Sequence, residues 1–256
     1  MSVDVEPQPH ALRASGLGFR VGGATILSDI DLAVPAGGFL GIIGPNGAGK
    51  TTLLNLLSGL LTPSAGTIIL EGRDVAGVAP SGRAALGLGR TFQTSSLFDS
   101  LSVFENARLS AQARLGGSAR FWRRPRASDE ASQVAVEALG DVGLSAVADR
   151  PTGALSHGDK RKLELAILLA ARARVLLLDE PMAGVNTEDV PRLMELIGRL
   201  HSEGRTVLMV EHHMAVVVGL ADTITVLDSG RVLATGDPDS VVANDDVQRA
   251  YLGQPL

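Results

Sequence analysis

The sequence predicts an α/β fold built on a doubly wound parallel sheet. The apolar runs Val175–Leu178 and Thr206–Val210 are typical of strands that are buried on both faces of such a sheet. Helical patterns such as Val190–Leu200 alternate with these strands along the chain. A glycine-rich stretch, Gly44–Thr52, stands between an apolar run and a helical pattern, and we expect the ligand site at the carboxyl ends of the strands.

The amino-terminal part predicts a small antiparallel β layer ahead of the parallel sheet. Met1–Ala14 carries acidic residues and prolines, lacks the apolar stretch of a signal peptide, and is predicted to be a tail. Apolar and polar residues alternate from Ile26 to Val34 within the segment Leu17–Val34, and Gly22-Gly23 predicts a turn before the alternation. A further short strand, Thr67–Leu70, follows a break in the chain at a proline and a glycine.

The middle of the chain predicts helices joined by irregular segments. Gly87–Ser100 shows no clean period and is predicted to be an extended loop. Val103–Arg114 and Ala131–Val142 are predicted helices, and the segment between them, Leu115–Asp129, is rich in glycine, arginine and proline and predicts a flexible insertion. Apolar spacing predicts another helix over Asp159–Ala171, with one basic end.

The last part of the chain continues the alternation of strands and helices. The elements predicted after the helix Val190–Leu200 are the strand Thr206–Val210, the strand Thr223–Leu227, a turn at Asp228–Gly230, a strand over Val232–Ala234 and a helical tail to Leu252.

Composition narrows the class of protein. At 256 residues and 26.5 kDa, the chain can form one α/β domain or a core with a small subdomain. Its net charge of −5 argues against general binding to nucleic acid. The absence of cysteine excludes disulfides and thiolate metal sites. Because no apolar run reaches the length of about 18 residues that spans a bilayer, we expect a cytosolic chain whose membrane role depends on a partner.

The stretch Gly44–Thr52 follows the apolar run Phe39–Ile43 and is predicted to be a phosphate-binding loop, or P-loop. Glycines let the backbone wrap around a polyphosphate, and the helix that follows directs the positive end of its dipole at it. Lys50 is predicted to reach the β- and γ-phosphates of a nucleotide, and Thr51 to bind Mg²⁺. The residues of this loop are Gly44, Pro45, Asn46, Gly47, Ala48, Gly49, Lys50, Thr51 and Thr52.

Asp179 and Glu180 directly follow the buried strand Val175–Leu178, in the manner of a Walker B site. An acid at a strand tip can hold Mg²⁺, and a second acid beside it can polarise the attacking water. Such an acidic pair is common by itself, but together with the P-loop it indicates nucleotide hydrolysis.

With the P-loop, Gln93, Ser156–Gly158, Asp179-Glu180 and His212 in this order, the chain resembles the nucleotide-binding subunit of an ATP-binding cassette (ABC) transporter from Leu17 to Leu252. The resemblance implies a RecA-like P-loop NTPase core with an inserted helical subdomain. The implied core covers residues 15–93 and 160–256, and the implied subdomain covers residues 94–159. ATP and Mg²⁺ are the implied ligands.

The resemblance also implies roles for individual residues. Gln93 would sense Mg²⁺ and the γ-phosphate and contact the membrane partner, whereas Ser156 and Gly158 would contact ATP that is held by a second cassette. Glu180 would be the catalytic carboxylate and His212 the switch histidine. Two simpler interpretations stay open, because Gln93 can be an ordinary loop residue and His212, with His213 beside it, an ordinary polar residue at a strand end. Asp179 would hold the metal, and Met182–Asn186 would form the D-loop.

Three residues depart from the usual pattern of the family. Asp159 replaces the common glutamine and either places a negative charge near a phosphate site or faces outward and favours the helix N-terminus. Val21 stands where an aromatic residue usually stacks on adenine, which predicts weaker stacking unless Phe19 substitutes. Asn186 stands where many members have aspartate.

Gly87–Gln93, the segment around Phe121–Arg124 and the pair Glu211-His212 resemble importers of branched-chain amino acids, with urea or short-chain amide importers as the alternative. Such importers usually pair two different cassettes with two membrane permeases and an external substrate-binding protein. The resemblance therefore implies that this chain forms a homodimer or a heterodimer with a second cassette and lies on the inner face of the membrane. Arg120–Arg126 either contacts lipid headgroups or a partner or is a solvated loop.

A soluble cassette protein that has no role in transport is the other alternative to an importer subunit, although neither a second cassette nor a long coiled-coil insertion is present. A GTPase is disfavoured because the sequence has no Asn-Lys-x-Asp motif.

Overall fold

The computed structural model describes residues 10–92, 97–115 and 129–251. Its strands are β1 His10–Val21, β2 Ala24–Pro35, β3 Phe39–Ile43, β4 Ala65–Leu70, β5 Arg73–Asp74, β6 Leu88–Arg90, β7 Val175–Asp179, β8 Thr206–Val210, β9 Thr223–Asp228 and β10 Arg231–Gly236. Its α-helices are α1 Lys50–Ser58, α2 Pro80–Ala85, α3 Val103–Arg114, α4 Glu130–Asp141, α5 His157–Ala170, α6 Val190–Ser202, α7 Met214–Leu220, α8 Pro238–Val242 and α9 Asp245–Tyr251.

The larger sheet has the strand order β10-β9-β3-β8-β7-β6. All of its neighbouring strands are parallel except β10, which pairs antiparallel with β9. β3 lies between β8 and β9, and β7 lies next to β8, so the carboxyl ends of these strands meet at one edge of the sheet. The predicted doubly wound parallel sheet is confirmed, and this edge is where ligands bind in such folds.

Residues of the central strands alternate between two hydrophobic clusters, one on each face of the sheet. In β7, Leu176 and Leu178 pack into one cluster with α3 to α6, whereas Val175 and Leu177 pack into the other with α1 and the antiparallel sheet. The strands are buried on both faces for this reason, which explains why their sequences are continuously apolar rather than alternating.

The predicted antiparallel layer is the second sheet, of order β2-β1-β4-β5. Its first hairpin turns at Gly22 and Gly23, which both have positive φ, as the sequence predicts. The prediction of a tail up to Ala14 is wrong from His10 onward, because Leu12 is buried and pairs with both neighbouring strands.

The helices α3, α4 and α5 pack on one another beside the parallel sheet. Their bounds agree with the predicted helices within a few residues. The extended loop predicted over Gly87–Ser100 is wrong in one part, because Leu88–Arg90 forms β6 and pairs in parallel with β7. The predicted insertion, including Arg120–Arg126, lies outside the described residues apart from its two ends.

Among the described residues, no helix has both the length and the apolar character to cross a membrane.

Candidate functional site

The P-loop joins the end of β3 to the first residue of α1, and two of its glycines are required by close packing. A Cβ at Gly44 would lie 2.1 Å from the carbonyl oxygen of Leu227 in β9. Gly49 precedes α1 with a φ of 101°, which strains any residue with a side chain, and a Cβ there would displace Leu27 Cδ2, which would lie 2.5 Å away. The exposed Gly47 has a positive φ but open space around it. The loop is therefore held tightly at both ends and open in the middle, where a phosphate would approach.

Lys50 is the first residue of α1, and its side chain folds back along the loop. Its Nζ donates to the carbonyl oxygens of Gly44 at 2.6 Å and Pro45 at 3.0 Å, and the residue is only 6% exposed. Burial lowers the pKa of Lys50, and the negative charges of Glu180 and Asp179 oppose this shift. The predicted phosphate ligand and the predicted acidic pair thus lie in one site.

Asp179 ends β7 and is 2% exposed. Its Oδ2 lies 3.0 Å from Nη2 of Arg90, at the end of β6, and its backbone N–H donates to Thr91 Oγ1 at 3.1 Å. Burial raises the pKa of Asp179, while the hydrogen bond and charge of Arg90 lower it in part. Arg90 also donates to Asn55 Oδ1 and Ser58 Oγ of α1, at 2.8 and 2.7 Å. A single buried arginine therefore joins the P-loop helix to the predicted metal ligand.

Glu180 follows Asp179 in a left-handed backbone conformation with a φ of 48°, which is uncommon for a residue with a side chain. Its backbone N–H donates to the carbonyl oxygen of Val210 at 2.9 Å. Its Oε1 lies 2.6 Å from Nε2 of His212, which follows β8. His213 is 71% exposed at its side chain and contacts Glu211 instead, so His212 is the histidine that meets the predicted catalytic carboxylate.

Ser156 and Gly158 lie at the start of α5. Ser156 is the N-cap residue, and its Oγ accepts a hydrogen bond from the backbone N–H of Asp159 at 3.1 Å. Gly158 is buried, and a Cβ there would lie 3.4 Å from Asp189 Oδ2. Within the described part of the chain, neither Ser156 nor Gly158 forms a hydrogen bond with the P-loop. Asp159 lies in the first helical turn, where its charge favours the helix dipole, and pairs with Lys162 at 3.3 Å.

Gln93 lies outside the described residues, which stop at Phe92 and resume at Leu97. The buried Arg161 of α5 donates to the carbonyl oxygen of Phe92 at 3.1 Å and to Glu164 Oε2 at 2.8 Å. Its other terminal nitrogen lies 3.5 Å from the carbonyl oxygen of Ala183. The side chain of Arg161 thus connects Phe92 and the predicted D-loop to α5.

Val21, at the end of β1, is 55% exposed, whereas Phe19 packs against the hydrophobic cluster beneath the antiparallel sheet. The exposed apolar side chain at this end of β1 is therefore that of Val21. Weaker stacking on adenine stays a prediction.

Sequence reasoning missed Arg90 and Glu211, both of which touch predicted site residues. Each directly follows or ends a strand at the edge where the site lies, and that position is the signal that could have identified them. Arg90 contacts Asp179, which is 89 residues away, and Glu211 also contacts Met182, which is 29 residues away, so these two contacts could not be predicted from spacing.

A glycine-rich loop that holds a buried lysine beside two acids, at the carboxyl edge of a parallel sheet, defines a P-loop nucleotide-binding protein. The sequence profile of the ABC transporter family matches residues 27–183, which is more than half of the chain. The chain therefore belongs to the ABC transporter family and carries its ATPase domain, as the sequence predicts. A second profile, described as a branched-chain amino acid ATP-binding cassette transporter, matches residues 231–255.

Individual relatives agree with the family. The chain is 38% identical to the high-affinity branched-chain amino acid transport ATP-binding protein BraF of Pseudomonas aeruginosa, over 95% of this chain and 98% of BraF. It is 37% identical to LivG of Escherichia coli K12, a protein with the same description, over the same shares. The lipopolysaccharide export system ATP-binding protein LptB of Haemophilus influenzae is 31% identical over 90% of this chain and 91% of LptB.

Solved structures confirm the fold. A crystal structure of an ATP-binding cassette of an ABC transporter in its ADP conformation superposes with a TM-score of 0.86 and 26% identity, covering 96% of this chain and all of that chain. A nucleotide-free cassette gives a TM-score of 0.84 with the same identity and coverage. The predicted P-loop NTPase fold is therefore confirmed.

Proposed function

We propose that this chain is the ATP-binding and ATP-hydrolysing subunit of an importer of branched-chain amino acids. The observation that carries the proposal is the likeness to BraF and LivG, which extends over 95% of this chain and is not limited to the P-loop core. The profile match at residues 231–255 supports the same substrate class.

The nucleotide would bind at the P-loop, where backbone N–H groups and the amino end of α1 face its phosphates. Lys50 would exchange its contacts with the loop carbonyls for contacts with the β- and γ-phosphates. Mg²⁺ prefers oxygen ligands, and the exposed hydroxyl of Thr51 and the carboxylate of Asp179 would supply them, with Gln93 as a further ligand. When bound, the cation neutralises charge that develops on the phosphates.

Glu180 would act as the base that polarises the attacking water. The contact of 2.6 Å between its Oε1 and His212 Nε2 would orient the carboxylate toward the water. The left-handed backbone at Glu180 fits this role, because strain of this kind persists where the surrounding structure fixes a functional residue.

The active unit would be a head-to-tail dimer in which each P-loop faces Ser156 and Gly158 of a second cassette, identical or different. Both Ser156 and His157 are exposed, so the amino end of α5 is accessible to such a partner. In this proposal residues 15–93 and 160–256 form the catalytic core, and residues 94–159 form the subdomain that transmits closure to the permeases. The chain would lie on the cytoplasmic face of the membrane and serve the substrate-binding protein only indirectly.

The hydrolytic role is tested with Glu180→Gln. We expect the variant to bind Mg²⁺ and ATP but to lose turnover by about 100-fold or more, and to accumulate as a dimer on size exclusion with light scattering. Glu188→Gln, which changes an exposed carboxylate in the segment just after the D-loop, is the matched control and should behave as wild type. Wild-type turnover in Glu180→Gln, or a monomer at saturating ATP, would contradict the proposal.

The substrate class is tested by uptake. Deletion of the gene in its native host should lower the uptake of radiolabelled leucine, isoleucine and valine, and the wild-type gene should restore it, whereas a gene that encodes Lys50→Ala should not. Loss of urea uptake with intact leucine uptake would assign the chain to the alternative importer class.

A further inference from the structure

Glu211 is a buried carboxylate that the proposed hydrolysis does not use. It follows β8 directly and is 1% exposed. Its two oxygens accept hydrogen bonds from different segments of backbone: Oε1 from the N–H of Met182, and Oε2 from the N–H of His212, both at 2.9 Å. A charge buried in this way is costly unless its hydrogen bonds are satisfied, so these contacts account for its presence in the core.

The two segments that Glu211 joins are those that carry Glu180 and His212. Met182 lies two residues after Glu180, whose positive φ is unfavourable for a residue with a side chain. The turn at Glu180 is fixed on one side by its own N–H, which donates to Val210, and on the other by the N–H of Met182, which donates to Glu211. The same carboxylate fixes the backbone of His212, whose ring lies 2.6 Å from Glu180.

We propose that Glu211 is a positioning residue for ATP hydrolysis: it ties the start of the D-loop to the backbone of His212 and so keeps Glu180 and His212 in contact. This proposal rests on the proposed function, because it assumes that Glu180 and His212 act on the nucleotide. It also gives the left-handed turn a cause, since a side chain from the neighbouring strand holds the segment that follows Glu180.

Glu211→Gln provides the main test, because glutamine has the same shape but only one acceptor oxygen. Either the N–H of Met182 or the N–H of His212 would then face an amide donor, and the turn at Glu180 or the switch histidine would shift. Misplacement of a reacting group by about 1 Å can cost about 100-fold in rate, so we expect kcat to fall about 10- to 100-fold. The KM for ATP should stay within about twofold, because the P-loop is unchanged.

Two further variants, Glu211→Asp and His213→Ala, test whether a loss of kcat in Glu211→Gln comes only from damage to the fold. Glu211→Asp keeps both oxygens and the charge, and we expect it to recover part of the lost kcat at an unchanged KM. His213→Ala removes an exposed ring that touches Glu211 at 3.4 Å but does not touch Glu180, and it should keep wild-type turnover. If Glu211→Gln does not fold, a fall in kcat at constant KM in Glu211→Asp, measured against His213→Ala, supports the proposal. Wild-type kcat in folded Glu211→Gln overturns the proposal, and if Glu211→Gln does not fold, wild-type kcat in Glu211→Asp overturns it.

A double-variant cycle separates this inference from the proposed function. If Glu211 acts through Glu180, adding Glu211→Gln to Glu180→Gln should cause no further loss of turnover, whereas independent effects would multiply and contradict the inference. If Glu180→Gln and His212→Ala alone keep wild-type turnover, the proposed catalytic roles fail. If those two variants lose turnover and Glu211→Gln does not, only the positioning role fails.

Discussion

The buried ion pair between Arg90 and Asp179 shows how a single residue can matter at the site without touching the nucleotide. Both side chains are almost fully buried, and Arg90 also binds Asn55 and Ser58. Removal of one partner of such a pair leaves an uncompensated charge in a medium of low polarity. The pair therefore constrains the position of Asp179 and, at the same time, makes Arg90 necessary for the fold.

Replacement of Arg90 by glutamine should destabilise the protein by about 3–5 kcal/mol, because Asp179 would lose its partner while it stays buried. Urea denaturation of wild type and variant measures the difference. Arg174→Gln is a matched control, because Arg174 makes an ion pair with Glu71 at the same N–O distance of 3.0 Å but on the surface. Its cost should be below about 1 kcal/mol. Equal losses in free energy of unfolding for Arg90→Gln and Arg174→Gln would show that burial of the Arg90–Asp179 pair does not matter for stability.

The destabilisation in Arg90→Gln should depend on pH. Burial already raises the pKa of Asp179, and the loss of Arg90 removes the contacts that lower it, so the pKa rises further in the variant. A carboxyl group whose pKa is higher in the folded than in the unfolded state costs stability above that pKa, and the cost disappears as the pH falls below it. The difference in free energy of unfolding between variant and wild type should thus shrink from neutral to mildly acidic pH. A constant difference would exclude ionisation of Asp179 as its cause.

At the scale of residues, the sequence predicts candidate site residues that stand in a contiguous motif. It does not predict contacts between residues that are far apart in the chain. The P-loop residues, Asp179-Glu180 and His212 could be predicted, because each stands in a short motif at the end of an apolar run. Arg90 and Glu211 could not, because their contacts join segments that only folding brings together. Which of the adjacent histidines meets Glu180 also depended on how the chain turns after β8.

At the scale of elements, the position of α1 depends on a residue outside it. The carbonyl groups of the last helical turn have no partner within a helix. Arg83 of α2, which is 1% exposed, donates to the carbonyl oxygens of Leu56 and Leu57 at 2.6 and 2.7 Å and to that of Val78 at 2.9 Å. Burial lowers its pKa, and the charge of Asp74 opposes this shift. The P-loop helix thus receives a cationic cap at its negative end.

Arg83→Met should lower the free energy of unfolding by about 3 kcal/mol, since the buried carbonyl groups of Leu57 and Val78 lose the donor that Arg83 provides, whereas that of Leu56 keeps the N–H of Gly59. Chemical denaturation measures this loss, and ATP binding to the folded fraction should weaken as the end of α1 loosens. Arg73→Met, which changes an exposed arginine of β5, serves as the control and should cost less than about 0.5 kcal/mol. A small loss of stability in Arg83→Met would mean that water takes the place of the guanidinium group at these carbonyl oxygens.

The P-loop itself allows a sharp comparison between two glycines. Gly44→Ala should abolish ATP binding and destabilise the fold, because the new methyl group would overlap the carbonyl oxygen of Leu227. Gly47→Ala faces open space and should cost only the left-handed strain of about 1–2 kcal/mol. Equilibrium binding of a fluorescent ATP analogue, together with denaturation, distinguishes the two, and equal losses would contradict the packing argument.

Strands and helices with a strong hydrophobic pattern could be predicted from the sequence. Strands that depend on pairing with a neighbouring strand could not. Thr206–Val210 agrees with β8 because its pattern is continuous. β6 is three residues long and has no period of its own, so its strand conformation comes from pairing with β7. The strand residues from His10 to Ala14 were mistaken for a tail for a similar reason, since their order depends on β2 and β4.

At the scale of the whole molecule, the parallel sheet carries one hydrophobic cluster on each face, and the site lies along its carboxyl edge between them. The P-loop strand β3 contributes to both clusters, with Phe39 and Ile43 on one face and Leu40 and Ile42 on the other. A nucleotide that binds the folded chain and not the unfolded one should therefore stabilise the entire fold through this strand.

This linkage gives a test of the dimer that does not depend on turnover. In Glu180→Gln, ATP and Mg²⁺ at about 100 times the Kd should stabilise the fold by about 2.7 kcal/mol, which corresponds to a rise in Tm of about 5–10 °C. If two chains close around the nucleotides, unfolding must also separate them, so the Tm with ATP should rise further as the chain is concentrated. Lys50→Ala, which removes the predicted phosphate ligand, should show neither the rise in Tm with ATP nor the further rise in Tm with chain concentration. A Tm that increases with ATP but does not change with chain concentration would mean that one chain holds the nucleotide alone, and the head-to-tail dimer would have to be abandoned while the P-loop assignment stands.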